Sequence, residues 1–134
     1  MLDIQDKLDA NSALCREIIE TGFMSKAKGD GLKPYRFNDD DQKNIMGIII
    51  FRFLQGITIN FLPMFDWKNA NELSTSPTWS YEQIESLYRE FEEWKERVLK
   101  RQDEIKVNLM IASEKTQEDI DAVDMSYDDL LAFE

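Results

Sequence analysis

The sequence predicts a mainly α-helical protein with small β elements (α+β). An N-terminal helix, a short β-hairpin, two packed core helices and an acidic helical tail are expected in that order. Three observations carry this expectation. Apolar residues recur at intervals of three and four over residues 2–21 and 84–112, the spacing of one helix face. A glycine-rich turn at residues 28–31 sits between aromatic residues, and the last stretch, residues 113–134, is acidic with hydrophobes of its own. At 134 residues the chain fits one domain, divided as an N-terminal helix at 1–22, a helical core with small hairpins at 23–112 and the tail at 113–134.

In the first helix Ile4, Leu8, Asn11, Cys15 and Ile18 form one stripe, and Gly22 ends it. Such a stripe packs on its own domain. It also fits a short coiled coil, with Ile4, Leu8, Asn11 and Ile18 as an oligomer seam and Asn11 as the polar residue that fixes register. Residues 23–37 read as a β-hairpin: Asp30-Gly31 supplies positive φ for a tight turn, and Pro34 cannot sit inside a helix. An irregular loop is the alternative. Asn38 followed by three aspartates marks the next helix start, since a side-chain cap and nearby acids both suit the positive end of a helix. The aspartates lack the alternating oxygen ligands, the mid-loop glycine and the closing glutamate of a calcium loop.

Residues 45–65 are the most apolar part of the chain. A membrane span is not expected there, because Arg52 alone costs about 2.5–3.5 kcal/mol at a bilayer centre. The reading is a buried helix to about residue 55, a break at Gly56 and a half-buried strand at 57–61 closed by Pro63. A second small hairpin or ordered loop is expected at 65–71. Ser80 with Gln83 forms a capping box, and Trp79 with Ile84 a hydrophobic staple. The helix they open carries Ile84, Leu87, Phe91, Trp94, Val98 and Ile105 on one face to about residue 112. Glu93 with Arg97 and Glu96 with Lys100 are spaced for ion pairs on its outer side.

Acidic residues outnumber basic ones, 27 to 16, for a net charge of −11. That balance disfavours nucleic acid and anionic membranes as partners and suits a basic protein surface. Residues 113–134 hold eight acids against Lys115 alone, so −7 of the charge belongs to the tail. Within the tail, residues 116–124 match residues 126–134 as hydroxyl, any residue, acid, Asp, aliphatic, any residue, Ala, apolar, acid. Each copy can cap a turn of helix, yet helices this short are marginal alone. The segment therefore docks on a body or folds on binding, unless it is simply a solvated tail. Its partner-binding candidates are Ile120, Val123, Tyr127, Leu130, Leu131 and Phe133. Removing residues 113–134 is expected to leave the core cooperative.

Histidine is absent and Cys15 is the one cysteine, which removes the usual general base, catalytic triads and zinc sites. No acid stands alone in an apolar stretch where burial would raise its pKa. The chain is thus expected to be no enzyme, to hold no metal and no cofactor, and to act by binding. Residues 1–6 lack the basic and apolar regions of a signal peptide, so synthesis is expected in the cytoplasm.

Gly22-Phe23, Tyr35, Phe37, Asp41-Gln42, Asn44-Ile45, Gly47, Trp67 and the capped helix from Ser80 through Gln83 and Leu87 follow one another over residues 22–106. This order resembles a domain family of unknown function found in phage tail-fibre and tail-associated proteins. The run Asp-Gln-x-Asn-Ile-x-Gly is its most specific element. There Gln42 and Asn44 are free to hydrogen-bond the preceding hairpin, and Gly47 allows close helix packing. The resemblance implies a phage or prophage tail context, with other tail components as partners and the virion tail as a destination. Two functions compete: a structural or assembly protein of the tail, and a small acidic inhibitor that blocks a basic nucleic-acid-binding site on a host protein. Acids gathered in a terminal segment with its own hydrophobes favour the first.

Overall fold

The computed structural model describes residues 2–27, 29, 31–54 and 81–133. Among these, helix α1 spans Gln5–Thr21, strands β1 and β2 span Phe23–Ser25 and Lys33–Tyr35, and helix α2 spans Asp39–Leu54. Helix α3 spans Tyr81–Ser113, helix α4 spans Gln117–Asp121, and a 3₁₀ turn covers Asp128–Leu130. The strand expected at 57–61 with Pro63, the hairpin or loop at 65–71, Asp30, Trp67, and the Trp79 and Ser80 half of the helix-start signal lie outside the described residues.

Local chemistry explains where the elements begin and end. Helix α1 stops at Gly22, whose N–H donates to Ile18 O at 2.7 Å. A Cβ at Gly22 would lie 2.8 Å from that oxygen and 3.3 Å from Leu131 Cδ2, so close approach requires glycine there. Strands β1 and β2 pair antiparallel with Phe23 opposite Tyr35 and Ser25 opposite Lys33, which is the expected hairpin. Its turn uses two positive-φ glycines, Gly29 at 84° and Gly31 at 99°. At the start of α2 the side chain of Asn38 accepts from Asp41 N–H at 2.9 Å, and that of Asp41 accepts from Asn38 N–H at 3.3 Å.

Helix α3 is the axis on which the rest packs. Its inner face places Ile84, Leu87, Phe91, Trp94, Val98, Ile105 and Leu109 in the core. Helix α1 lies antiparallel along it: Leu2 N–H donates to Ser113 O at 2.9 Å, and Asn11 Nδ2 donates to Gln102 O at 3.1 Å. At the other end, Phe37 stacks on Phe91 with ring centroids 4.0 Å apart, and Phe23 meets Phe91 edge-on at 5.5 Å. The pairs expected between Glu93 and Arg97 and between Glu96 and Lys100 are not formed. Helix α3 instead carries Arg89 with Glu85 and Arg101 with Glu104.

The tail packs against the rest of the chain. Beyond α3 the chain turns back and runs along the helix towards its start, burying Ile120 and Tyr127 in the same core. Thr116 caps α4, its Oγ1 accepting from Asp119 N–H at 3.1 Å, so the first copy of the repeat forms its helical turn. In the second copy the cap position falls to Tyr127, which makes no side-chain cap. Arg101 holds the passage between the copies, donating to Ser126 O and Asp124 O at 3.0 Å each. Trp94 Nε1 donates to Leu130 O at 2.7 Å. Residues 113–134 are thus a strap over α3 that adds two side chains, Ile120 and Tyr127, to the core.

Candidate docking surface

The residues expected to meet a partner are largely used inside the chain. Of the proposed oligomer seam, Asn11 and Ile18 are buried, while Ile4 and Leu8 pack half-buried against the core. The stripe lies in the contact between α1 and α3. Of the tail candidates, Ile120 and Tyr127 are buried, and Val123, Leu130 and Phe133 pack half-buried against the core. Only Leu131 is exposed, and it leans towards Gly22. The six therefore form no outward patch, because their apolar sides close the chain's own core.

The buried polar centre between α1, α3 and the strap is a tie. The Tyr127 hydroxyl donates to Asn11 Oδ1 at 2.5 Å, while Asn11 Nδ2 is held by Gln102 O. Burial, then the neighbouring Cys15, pushes the Tyr127 phenol up to about 12. Burial likewise raises the Cys15 thiol above its ordinary value. Both groups stay protonated near neutral pH, which makes Cys15 a poor nucleophile. Asp124 is held below the usual carboxylate range, first by the hydrogen bond from Ser126 N–H, with a smaller contribution from Arg101.

Outward-facing apolar residues occur elsewhere. On α2, Met46 and Ile50 are 44% and 49% exposed, with half-buried Ile49 beside them. Leu99 on α3 is 41% exposed, and half-buried Tyr88 stands three turns before it on the same stripe. Ile49, Tyr88 and Leu99 line a groove of about 730 Å³ between α2 and α3, walled by Glu85, Arg89, Glu92, Glu93, Lys95 and Glu96. Lys95 Nζ donates to Gln42 Oε1 at 2.7 Å, and Gln42 Nε2 donates to Phe37 O at 2.7 Å. Gln42 thus bonds the end of the hairpin segment as expected. Gly47, by contrast, faces open space, with nothing within 4 Å of a Cβ built there. Burial, then the charge of Glu92, raises the Tyr88 phenol above its ordinary value.

Sequence reasoning missed this surface. Periodicity cannot assign faces in a run as uniformly apolar as residues 45–54. On α3 a signal was present: Tyr88 and Leu99 are apolar residues standing off the core stripe.

Among the described residues no three or more His, Cys, Asp or Glu side chains are grouped to hold a metal ion, and no helix is long and apolar enough to cross a membrane. Comparison with curated proteins and with solved structures finds no match in either. A family described as a domain of unknown function (DUF4376) matches residues 3–126, taking in α1, both strands, α2, α3 and α4. With most of its length covered by that match, the chain belongs to the DUF4376 family of domains of unknown function.

Proposed function

We propose that this protein is a structural or assembly component of a phage or prophage tail, an adaptor or part of the receptor-binding apparatus, that acts by binding other proteins without catalysis. The tail context rests on the resemblance carried by residues 22–106, above all the run from Asp41 to Gly47. The observation that carries the binding role is the apolar groove between α2 and α3, floored by Ile49, Tyr88 and Leu99, together with the exposed Met46 and Ile50 on α2. Apolar side chains left open on two packed helices are a ready contact surface for another protein. The direct test is quantitative mass spectrometry of purified tail particles from cells carrying the gene. A fixed stoichiometry of the chain in the particles supports the reading, and its absence from particles and assembly intermediates refutes it.

One observation favours the second reading. With the strap docked, Glu118, Asp119, Asp121, Asp124, Asp128 and Asp129 are exposed on an ordered body. The acids thus lie on a folded face, as a protein that blocks a basic nucleic-acid-binding site requires. Competition between the chain and DNA for a basic host protein, abolished by neutralising these six residues, is the result that would select inhibition over assembly.

A further inference from the structure

We propose that the groove between α2 and α3 receives an amphipathic helix of a partner protein, apolar on one face and rich in Lys or Arg along its edges. This deepens the protein-binding reading and rests on it. The floor is apolar, with Ile49, Tyr88 and Leu99. From residue 85 to residue 99 it follows α3 for roughly 21 Å, about four turns of a partner helix at 1.5 Å per residue. Both walls are helices whose backbone groups are already bonded within them, so a partner cannot add as a strand and must present side chains.

Charge selects the kind of helix. The wall carries four carboxylates, Glu85, Glu92, Glu93 and Glu96, against two cations: Arg89, which pairs with Glu85 at 2.7 Å, and Lys95, whose Nζ donates to the neutral amide of Gln42. Glu92, Glu93 and Glu96 line the same wall and make no ion pair among the described residues. An apolar floor under a rim with a net negative charge complements a helix with cations at its edges and disfavours an acidic one.

The test uses the full chain and two fluorescein-labelled synthetic peptides of Leu and Lys with one composition. One has helical apolar spacing and the other is permuted to lack it. Anisotropy titrations at physiological salt are expected to show the patterned peptide binding at least about tenfold more tightly, as buried anchors require. Ile49→Ser with Leu99→Ser, or the triple change Glu92→Gln, Glu93→Gln, Glu96→Gln, should each weaken it by roughly tenfold. Neutralising Glu118, Asp121, Asp128 and Asp129 on the strap should change it by less than about twofold, since none of them lines the groove. Urea melts of every variant separate lost binding from lost folding.

The proposal is overturned by equal binding of the two peptides, by equal losses from groove and strap variants, or by no binding to the full chain. A sedimentation result in which a dimer formed through the groove excludes the peptide also overturns it, in favour of a second copy. The particle measurement stays independent. A chain found in tail particles that ignores the patterned peptide sinks the groove assignment alone, and a chain that binds the peptide but never enters particles sinks the tail reading alone.

Discussion

Replacing Tyr127 tests the claim that the acidic strap is part of the core. Its hydroxyl is the donor to Asn11 Oδ1 across 116 positions of sequence, and its ring is 3% exposed. Tyr127→Phe keeps the ring and leaves the Asn11 oxygen without its donor, a loss of about 1–3 kcal/mol for a buried unsatisfied acceptor. Tyr127→Ala also opens a cavity, and aromatic-to-alanine changes in cores cost about 3–5 kcal/mol. Against a total stability of order 5–15 kcal/mol, the first variant should fold with a lowered urea midpoint and an unchanged slope, and the second should be marginal. Equilibrium urea melts followed by tryptophan fluorescence read both. Parent-like midpoints for both variants would refute the docked strap, because a solvated tyrosine has nothing to lose.

Alkaline pH probes the same contact. The folded phenol titrates at about 12 against an ordinary value of 10.0, so above pH 10 the unfolded chain releases this proton first. The stability it contributes is intact below that point and falls as pH climbs towards 12, and Tyr127→Phe should lose less stability than the parent between pH 8 and pH 11. Deleting residues 114–134 should abolish a cooperative melt, since it removes Ile120 and Tyr127 from the core together; a sharp transition within a few degrees of the parent would contradict this. Gly47→Ala should raise stability by about 0.5–1 kcal/mol, because a Cβ meets nothing there and alanine suits a helix interior better, and a lowered melting temperature would show that something contacts Gly47 in the free protein.

How much of this could be read from the sequence depended on the range of the forces involved. Elements set by neighbouring residues were legible. Asn38 and Asp41 cap α2 from three positions apart, Gly22 ends α1, and one apolar stripe makes the inner face of α3. The Ser80 half of the α3 start signal lies outside the described residues. The strap was not legible as core. An apolar residue every few positions in an acidic background fits a partner's groove and the chain's own α3 equally well. Only contacts such as Trp94 to Leu130 and Arg101 to Ser126 decide between them. The outer surface of α2 was hidden for a different reason. A continuous apolar run reads as buried on all sides, yet among the described side chains of α2 Ile45 is buried and Ile49 packs half-buried against the core, while Met46 and Ile50 face out.

The placement of the strap also changes how any substitution in it must be interpreted. The apolar triplet Leu130, Leu131 and Phe133 is the natural target for testing partner binding, but its members do different work. Phe133 stands with its ring centroid 5.8 Å from Trp94 and 6.0 Å from Phe23, so it extends the aromatic core. Leu131 remains 41% exposed. Phe133→Ala should therefore cost about 1–3 kcal/mol, below the range for fully buried aromatics because the ring is only half covered. Leu131→Ala should cost less than about 1 kcal/mol, in line with partial exposure. A partner that binds through the strap would be lost in the Leu131 variant while its melt stays close to the parent. A partner that binds through the α2–α3 groove would be kept there, and would be weakened in the Phe133 variant only in proportion to the fraction of chain unfolded. Measuring the urea midpoint and the affinity on the same two proteins separates these cases. A Phe133→Ala chain that melts like the parent would show that its ring is not part of the core, and with it that the end of the strap is not docked.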